Sequence, residues 1–314
     1  MEAKLRSLKN MDFRLKVFGC VAQYCNFTKA AKELNISQPA VSKHIHELEE
    51  NYNIKLFERE GNRIVLTQAG KILQQYSAEI LTKYENLSFI MHHLGHTERG
   101  SIRIGASTSI AQYILPQLLA DFNILHPEIS FSLISANSDK IEEMALSKRI
   151  DIGMVEGCSS GNNFRYIPFM KDEIVAVAKD EEKVMAYRNT KENDTHIWPL
   201  NMLYNIPLVM RENSSGTYQV IEKALKAKSI RPSDLKICAR MDSTESIKNY
   251  IQHSNCMGMV SICAVRSDIY ENRLKIIDFE DFSIEREFSF AIPHGPLQPM
   301  QQLFMEFIAK ATAR

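Results

Sequence analysis

The stretch from Phe27 to Glu49 reads FTKAAKELNISQPAVSKHIHELE. It contains two short helical patterns that flank a turn at residues 35–37, which is the spacing of a helix-turn-helix. Ser37 is suited to cap the second helix, and Pro39 occupies its first turn, where a missing N–H costs nothing. The pattern therefore predicts a second helix from Gln38 to about Asn51.

This second helix combines an apolar face with a polar first turn. Val41, Ile45 and Leu48 recur at helical spacing, so we expect them to face a domain core. The residues left to meet base edges and phosphates are Gln38, Ala40, Ser42, Lys43 and His44. Gln pairs bidentately with adenine, whereas Lys and Ser mostly contact phosphates. Taken alone, the helix is equally compatible with an ordinary capped helix of a small bundle.

A short hairpin pattern follows the helix. Leu56–Arg59 and Ile64–Leu66 are strand-like, and Glu60–Arg63 lies between them. The pattern predicts a two-stranded wing with Arg59 and Arg63 near its tip. A wing beside a recognition helix commonly reaches the neighbouring groove or backbone, where arginine is the preferred cation. The wing therefore favours DNA binding over the ordinary bundle.

With the wing included, residues 13–70 resemble the N-terminal domain of the LysR-type transcriptional regulators. The residues that carry the resemblance are Phe18, Ala22, Phe27, Thr28, Ala30, Ala31, Leu34, Ser37, Gln38, Pro39, Ala40, Val41, Ser42, Ile45, Leu48, Glu49, Leu56, Phe57, Arg59, Arg63, Leu66, Thr67, Ala69 and Gly70. Asn26, His44 and Asn53 depart from the family pattern. The resemblance implies an all-α winged helix-turn-helix domain over residues 1–67. The predicted DNA-binding residues are Thr28, Ser37, Gln38, Pro39, Ala40, Ser42, Lys43, His44, Arg59 and Arg63.

Helical patterns also flank this region. Residues 11–25 predict a first helix, and Thr28 is expected to cap the next one. Thr67 can cap a helix whose pattern runs over residues 68–94, and residues 68–97 are the predicted linker helix. Its apolar row at three-four spacing comprises Leu73, Ser77, Ile80, Tyr84, Leu87, Met91 and Leu94. That row predicts a coiled-coil seam between two chains, since paired readers cover two half-sites. The alternative is an amphipathic helix packed on its own domain.

Length, composition and charge set further bounds. The 314 residues suffice for two or three domains, and 45% hydrophobic with 24% charged residues is ordinary for a globular protein. The formal net charge is zero, so the case for nucleic acid is local: residues 1–66 hold eleven Lys and Arg against eight Asp and Glu. Without a signal peptide or a long apolar run, we expect a cytoplasmic protein with no membrane segment.

Two sets of potential metal or redox ligands are present. The six cysteines, scattered without a Cys-x-x-Cys, are Cys20, Cys25, Cys158, Cys238, Cys256 and Cys263. In a reducing compartment they are expected to be buried free thiols. His92, His93 and His96 form a histidine-rich helix end, but no fourth ligand stands at motif spacing. Neither set predicts a metal or cofactor site.

From Ser101 the pattern changes to alternating strands and helices. Strands are predicted at Ile102–Ala106, Ile129–Ser135 and 151–155. A helix opened by Ser107, Thr108 and Ser109 follows the first strand, and another near 138–148 follows the second. This order predicts a parallel sheet with ligands at the carboxyl ends of its strands. The three hydroxyls lie at such an end and at a helix N-terminus, where an anion is favoured.

The alternation repeats after Pro168. Strands are predicted at Glu173–Lys179, 207–210, 237–241 and 257–261, and a helix is predicted near 300–312. Helices are opened by Ser214, Ser215, Gly216 and Thr217, and by the segment that holds Thr244. Each hydroxyl cluster is also explained by simple capping, but their matching positions favour two subdomains that line a cleft. Arg103, Arg211, Glu156 and Glu245 could pair with a ligand or with one another.

This layout is similar to the α/β, periplasmic-binding-protein-like effector domain of the LysR-type regulators, here over residues 98–314. The resemblance implies subdomain I at 98–167 and 267–314 and subdomain II at 168–266, with crossings near 168 and 266. The predicted effector-binding residues are Ser107, Thr108, Ser109, Ser214, Ser215, Gly216, Thr217 and Thr244. Gly105–Thr108 through Tyr113–Pro116 resemble regulators of sulfur assimilation or carbon fixation.

The function that follows is a DNA-binding transcriptional regulator controlled by a small, anionic metabolite. By resemblance it works as a homodimer or homotetramer and recruits RNA polymerase, with no cofactor other than the effector. No catalytic motif such as Gly-x-Ser-x-Gly or His-Glu-x-x-His occurs, so we expect no enzyme. One alternative is a redox-sensing regulator, although no cysteine lies near residues 214–217, where peroxide-sensing relatives place theirs. The other is a solute-binding protein, which leaves the first hundred residues unexplained.

Overall fold

The computed structural model describes residues 2–61, 63–94, 99–156, 163–179 and 197–313, with the side chains of 2–12, 92 and 93 left out. The chain divides into two compact units, Met1–Thr97 and Glu98–Arg314. The predicted end of the linker, between residues 97 and 98, lies outside the described residues. In the described part of the chain, no helix combines the length and apolar character of a membrane span.

The first unit is a helical domain with a two-stranded wing. Its elements are α1 (Glu2–Tyr24), α2 (Phe27–Glu33), α3 (Gln38–Tyr52), β1 (Phe57–Glu60), β2 (Arg63–Leu66) and α4 (Gln68–Leu94). The helix α1 begins well before the predicted residue 11. Val41, Ile45 and Leu48 are buried in the core, as predicted, against Phe18 and Val21 of α1. The wing strands pair antiparallel, with Arg59 opposite Ile64.

The helix ends of this unit follow from their capping residues. Asn26, not the predicted Thr28, caps α2: its Oδ1 accepts from the Lys29 N–H at 2.9 Å, and Thr28 lies one residue inside the helix. Asn is the stronger capping residue of the two, and the extended backbone of Asn26 is the one that an N-cap requires. Ser37 caps α3 as predicted, accepting from the Ala40 N–H at 3.3 Å. Asn53 ends α3 at φ 50°, a left-handed conformation that Asn tolerates.

The long helix α4 changes its surroundings along its length. Thr67 accepts from the Gly70 N–H at 3.0 Å at its start, as predicted. Leu73 packs on the core of the first unit, and Ser77 is buried with its hydroxyl donating to the Gln74 carbonyl. The later positions of the predicted row are exposed, namely Ile80, Tyr84, Leu87, Met91 and Leu94. Among the described residues, the second half of α4 therefore leaves an apolar row exposed.

The second unit is an α/β domain. Its elements are β3 (Gly100–Ser107), α5 (Thr108–Tyr113), α6 (Leu115–Leu125), β4 (Ile129–Ala136), α7 (Ser138–Leu146), β5 (Ile152–Glu156), β6 (Phe164–Ala178), β7 (Ile197–Trp198), β8 (Leu208–Arg211), α8 (Gly216–Ala227), β9 (Ile237–Met241), α9 (Thr244–Gln252), β10 (Met257–Ser261), α10 (Ile262–Tyr270), β11 (Lys275–Phe279), β12 (Ile284–Pro293) and α11 (Pro299–Thr312), with 3-10 turns at Leu200–Tyr204 and Pro232–Asp234.

The strands form a mixed sheet rather than the predicted parallel one. Its order is β4-β3-β5-β12-β6-β10-β8-β9, with β11 beside β6. The outer strands pair in parallel on each side, whereas β12 pairs antiparallel with both β5 and β6. The strands β6 and β12 therefore connect two subdomains, built around β3–β5 and around β8–β10.

Three sequence-based boundaries differ from the structure. The strand β6 begins at Phe164 rather than Glu173, because its first half pairs with β12, which the sequence did not predict. The chain returns to subdomain I through β12, after residue 284, not near 266. The predicted helix after Ser107 is broken into α5 and α6 at Ile114, since Pro116 opens a new first turn.

The pairing of β6 with β12 contains one irregularity. Phe288 lies opposite Met170 and Ser289 opposite Pro168, so Phe169 is an extra residue in β6. A bulge is suited to this point, because proline has no N–H for the ladder. The Phe169 carbonyl accepts instead from the hydroxyl of Thr312, at the end of α11, at 2.7 Å.

Candidate functional sites

The first candidate site is a groove between α3 and the wing. It has a volume of about 970 Å³, and its lining includes Thr28, Gln38, Ser42, Arg59 and Arg63. The two arginines are exposed on the wing strands. Gln38 donates from Nε2 to the Ser42 hydroxyl at 2.9 Å, so the two polar side chains are oriented together. Half of the predicted DNA-binding residues therefore line one concave surface that contains both cationic and amide groups.

The other predicted DNA-binding residues do not line this groove. The hydroxyl of Ser37 serves as the helix cap, and Pro39 and Ala40 form the first turn of α3. Lys43 is exposed. The ring of His44 packs edge-on against Phe13 with ring centroids 5.2 Å apart. That ring is held against α1 rather than presented freely to solvent.

Glu49 is a positioning residue that the sequence did not single out by role. Its Oε1 accepts from the Leu56 N–H at 2.9 Å, and its Oε2 lies 2.6 Å from the Lys55 Nζ. Burial by itself raises the pKa of Glu49, but the Lys55 ammonium and the Leu56 N–H outweigh burial and lower it. The carboxylate thus fixes the start of the wing relative to the end of α3.

The second candidate site lies where strands of subdomain I meet the start of α8 in subdomain II. Ser107 and Glu156 end β3 and β5, and Ser138 follows β4. From the other side, the Thr217 hydroxyl donates to the Glu156 Oε2 at 2.9 Å. The side chains of Ser107, Ser138, Glu156 and Thr217 are all buried. The predicted meeting of strand ends with a second-subdomain helix start is therefore present in the geometry.

Gly216 is required by the close approach of α8 to subdomain I. A Cβ atom at this position would lie 2.7 Å from the Ser138 Oγ and 3.1 Å from the Glu156 carbonyl oxygen. Contacts this short are not tolerated without a shift of the neighbouring atoms. The absence of a side chain at Gly216 therefore sets how closely the two subdomains meet.

Several buried polar atoms around this contact have no hydrogen-bond partner among the residues that the structure describes. They are the Ser107 Oγ, the Ser138 Oγ, the Ser215 Oγ, the Glu156 Oε1 and the Arg286 Nη2. Buried polar groups are paired in most native structures, so each unpaired one needs an explanation. Two of these five atoms belong to residues predicted from sequence, Ser107 and Ser215.

Arg286 lies at the centre of this cluster of buried polar residues, which comprises Ser107, Ser138, Glu156, Asp172, Ser215, Thr217 and Arg286. Its guanidinium compensates the charges of the two carboxylates. Arg286 donates from Nε to the Asp172 Oδ2 at 2.7 Å and from Nη1 to the Thr217 Oγ1 at 2.9 Å, and its Nη1 lies 3.4 Å from the Glu156 Oε2. The Asp172 Oδ1 accepts from Ser261 at 2.7 Å. Both Arg286 and Asp172 are buried. A single guanidinium on β12 therefore serves two buried carboxyl groups, one on β5 and one on β6.

Glu156 is ionised in this environment. Burial by itself raises the pKa of its carboxyl. The charge of Arg286 and the hydroxyls of Ser109 and Thr217 outweigh burial, so the pKa lies below its ordinary value. Thr217 donates to Oε2, whereas Oε1 accepts no hydrogen bond of ordinary geometry from the described residues, although the Ser109 hydroxyl lies close enough to stabilise the charge. The site therefore offers a charged acceptor that is not saturated.

The remaining predicted effector residues differ in whether they lie near Glu156. Ser109 is buried beside Glu156, and Thr108 is half-buried. Ser214 is exposed. Thr244 accepts from the Arg211 Nη1 at 3.3 Å in the interior of subdomain II. Ser214 has no contact with the cluster among the described residues.

The charged residues whose partners the sequence left open all bind within the chain. Arg211 also pairs with Glu212 at 2.9 Å, and Arg103 with Asp151 at 2.6 Å. Glu245 accepts from the Tyr113 hydroxyl at 2.7 Å, which joins α9 of subdomain II to α5 of subdomain I. Burial and this hydrogen bond raise the pKa of Tyr113.

Sequence reasoning missed Ser138, Asp172 and Arg286. Ser138 opens α7 directly after a strand, so the hydroxyl-at-helix-start signal used for Ser107 could have found it. No comparable signal marks Arg286, since its strand was not predicted. Within the described residues, no group of three or more His, Cys, Asp or Glu could hold a metal ion. The side chains of His92 and His93, and all of His96 and Cys158, lie outside those residues.

Comparison with known proteins identifies both units. Residues 13–71 match the bacterial regulatory helix-turn-helix protein, lysR family, and residues 95–313 match the LysR substrate binding domain. The HTH-type transcriptional regulator CysL of Bacillus subtilis is 30% identical over 283 residues, covering 90% of each chain. The RuBisCO operon transcriptional regulator of Allochromatium vinosum is 28% identical over 302 residues, covering 96% of each.

A solved structure shares the fold of the second unit. The CcmR regulatory domain of Synechocystis PCC6803 in complex with 2-PG has a TM-score of 0.59 at 23% identity, and the match covers 68% of this chain and 98% of that one. The match to a RuBisCO operon regulator agrees with the predicted likeness to regulators of carbon fixation. Because both units match domains of a family of transcriptional regulators, the enzyme and solute-binding alternatives are set aside. The chain belongs to the LysR family of bacterial transcriptional regulators.

Proposed function

We propose that this regulator reads DNA with the groove between α3 and the wing. A small effector bound where Ser107, Ser138 and Glu156 meet the start of α8 would control that activity. The single observation that carries the effector site is the group of buried, unpaired polar atoms contributed by both subdomains. A ligand that pairs with atoms from both sides favours one relative placement of the subdomains, which is the differential affinity that control requires.

The DNA-binding part rests on side chains of complementary chemistry in one groove. Gln38 supplies an amide suited to a base edge, whereas Arg59 and Arg63 supply cations for the phosphate backbone. Glu49 holds the wing against α3, so the arginines and the amide keep a fixed spacing. Direct base contact is therefore assigned to α3 and backbone contact to the wing.

To test this assignment, an operator sequence is first selected from random DNA duplexes with the parent protein. The affinity of each variant for that operator is then measured. Arg63→Ala is expected to weaken binding of all sequences and to reduce the slope of log K against log salt by about 1. Ser42→Ala is expected to weaken binding by removing the partner that orients Gln38. Lys71→Ala is the matched control, because Lys71 is an exposed cation of α4 outside the groove. Equal losses in all three variants would remove the groove from the assignment.

The chemistry of the effector follows from the unpaired atoms. The Arg286 Nη2 and the N-terminus of α8 favour an anionic group. The Glu156 Oε1 is a charged acceptor, which repels an anion and requires a donor. We therefore propose a small metabolite that carries both a negative group and a hydroxyl or ammonium donor. The complex of a domain of this fold with 2-PG supports a small-molecule ligand.

A thermal-shift screen of the full chain tests the effector site. The probes are matched pairs of small acids with and without a hydroxyl or ammonium group, together with sulfate and thiosulfate. At a hundred times its dissociation constant, a ligand adds about 2.7 kcal/mol to the unfolding free energy. A hydroxy or amino acid is expected to raise the melting temperature more than its partner that lacks the donor. A response to inorganic anions alone would refute the donor requirement.

Replacement of Ser107 and Ser215 tests whether the ligand binds at this contact. Ser107→Ala and Ser215→Ala remove hydroxyls that make no hydrogen bond to any described residue, so the fold is expected to survive them. Each should abolish the ligand-dependent shift while DNA affinity persists. Ser101→Ala, an exposed serine of β3, is the control. An unchanged shift in both variants would place the ligand elsewhere.

A further inference from the structure

A β-bulge directs one cysteine of subdomain II toward another. Along the β8–β9 pairing, Leu208 lies opposite Ile237 and Val209 opposite Ala239, so Cys238 is an extra residue of β9. Bulges turn a side chain away from the direction that regular pairing would give it. The Cys238 thiol lies 3.1 Å from the Leu208 carbonyl oxygen and 3.3 Å from the Cys256 sulfur.

The second cysteine comes from the opposite side of β8. Cys256 directly precedes β10, and β10 and β9 flank β8 in the sheet. The two sulfurs therefore meet across the amino end of the central strand, at Leu208. A disulfide has a sulfur–sulfur distance near 2.0 Å, so the atoms need to approach by about 1.3 Å.

We propose that Cys238 and Cys256 form a reversible disulfide by exchange with a low-molecular-weight disulfide. The Cys238 thiolate attacks one sulfur of the reagent, a mixed disulfide forms, and one thiolate leaves. The Cys256 thiolate then attacks the Cys238 sulfur, the bond to the reagent breaks, and the second thiolate leaves. The two protein thiols are oxidised, the reagent is reduced to two thiols, and the two protons pass to them.

The order of these steps follows from exposure. Cys238 is exposed and lines an open groove of about 720 Å³, together with Tyr218, Glu222 and Arg240. Cys256 is buried, so a reagent in solution meets Cys238 first. Once the first bond forms, the short distance gives Cys256 a high effective concentration for the second step. The geometry thus provides an attacking thiol and a resolving thiol.

Thiol acidity sets the kinetics of this pair. Burial and the neighbouring Cys256 raise the pKa of Cys238 to about 11. Little thiolate is present at neutral pH, so reaction is slow and a transient oxidant is a poor substrate. A thiol of high pKa gains no stabilisation in its reduced form, which favours the disulfide at equilibrium. The pair therefore responds to sustained oxidising conditions, away from the effector cluster at the carboxyl ends of the strands.

The other described cysteines lie against different partners. Cys20 and Cys25 face the carbonyl oxygens of Ala30 and Ala22 at 3.8 and 3.6 Å. Cys263 lies beside Asp172, and burial followed by this carboxylate raises its pKa. Cys263 is a suitable control, because it belongs to the same subdomain and a Cys263→Ser variant leaves the proposed pair intact.

The test is oxidation of the full chain in glutathione buffers of increasing oxidised fraction, with denaturation and iodoacetamide at each point. Cys238 and Cys256 are expected to lose alkylation together, and to be found as a linked pair of tryptic peptides. These are Ile237–Arg240 and Asn249–Arg266. The second also contains Cys263, so the Cys263→Ser variant is mapped in parallel and should give the same linked pair.

Each outcome decides the proposal. Cys238→Ser and Cys256→Ser should each abolish the linked peptides, and the reduced forms should melt as the parent does. The proposal is overturned if both thiols remain alkylated in a buffer that fully oxidises dithiothreitol. It is also overturned if glutathione stays attached to Cys238, or if linkage to the second peptide persists in Cys256→Ser.

Discussion

Replacement of Arg286 by methionine tests the balance of buried charge at the subdomain contact. The guanidinium binds Asp172 at 2.7 Å and lies 3.4 Å from the Glu156 carboxylate. All three groups are buried, so water cannot replace the lost cation. Methionine conserves most of the volume, which isolates the electrostatic loss from the creation of a cavity.

The expected magnitude is large. Removing one partner of a buried ion pair costs about 3–5 kcal/mol, because the remaining charge is left without compensation. For a domain of 150–250 residues, each kcal/mol lowers the melting temperature by about 2–4 °C. The second unit of Arg286→Met is therefore expected to melt roughly 6–20 °C lower. Scanning calorimetry of the full chain measures this, with the first unit as an internal reference.

The matched control is Arg99→Met, which breaks the pair of Arg99 and Glu128 at 2.8 Å. Both side chains are more than half exposed, at 62% and 56%, so the expected loss is only about 0–1 kcal/mol. Asp172→Asn in the Arg286→Met background should recover part of the stability, because it removes one buried negative charge that has lost its cation. If Arg286→Met melts no lower than Arg99→Met, the cluster does not depend on its arginine and the reasoning fails.

Three further predictions concern other parts of the chain. Asn26→Ala removes the cap of α2 and should lower the stability of the first unit by about 0.5–2 kcal/mol in thermal unfolding, whereas Thr28→Ala should cost less. The pKa of Glu156 is lowered from 4.5, so its contribution to the free energy of unfolding is complete above pH 4.5 and is lost as the pH falls through the folded pKa. Glu156→Gln should therefore flatten the loss of stability in acid. An unchanged slope of stability against pH in acid would contradict this. Leu87→Lys places a charge in the exposed row of α4 and should shift the chain toward monomer in sedimentation, whereas Glu85→Lys should not.

The success of sequence reasoning depended on how local the physical signal was. The helix α3 was predicted to within about a residue, because its cap, its proline and its apolar face all lie within fifteen residues. The choice of Thr28 over Asn26 failed because two good capping residues stand two positions apart. Hydroxyls at helix starts located Ser107, Ser215 and Thr217, which the structure brings to the subdomain contact.

The pairing of strands that lie far apart along the chain could not be predicted from the sequence. Arg286 and Asp172 meet because β12 pairs with β6, although more than a hundred residues separate them along the chain. The bulge at Cys238 depends on the register between β8 and β9, which the residues of either strand alone do not determine. The sequence therefore predicted which helix starts and strand ends contribute polar groups to the effector site. The strand pairing determined which further buried groups lie beside them.

The extra residue in β6 has a mechanical consequence. A bulge bends its strand and increases the local twist, and Phe169 places that bend where β6 runs beside β12 between the two subdomains. The hydroxyl of Thr312 donates to the carbonyl of Phe169, so the last turn of the C-terminal helix fixes the backbone of β6 at this bend. A tag or truncation that removes this hydrogen bond is therefore expected to alter the strand that joins the two subdomains, even though Thr312 lines neither candidate site.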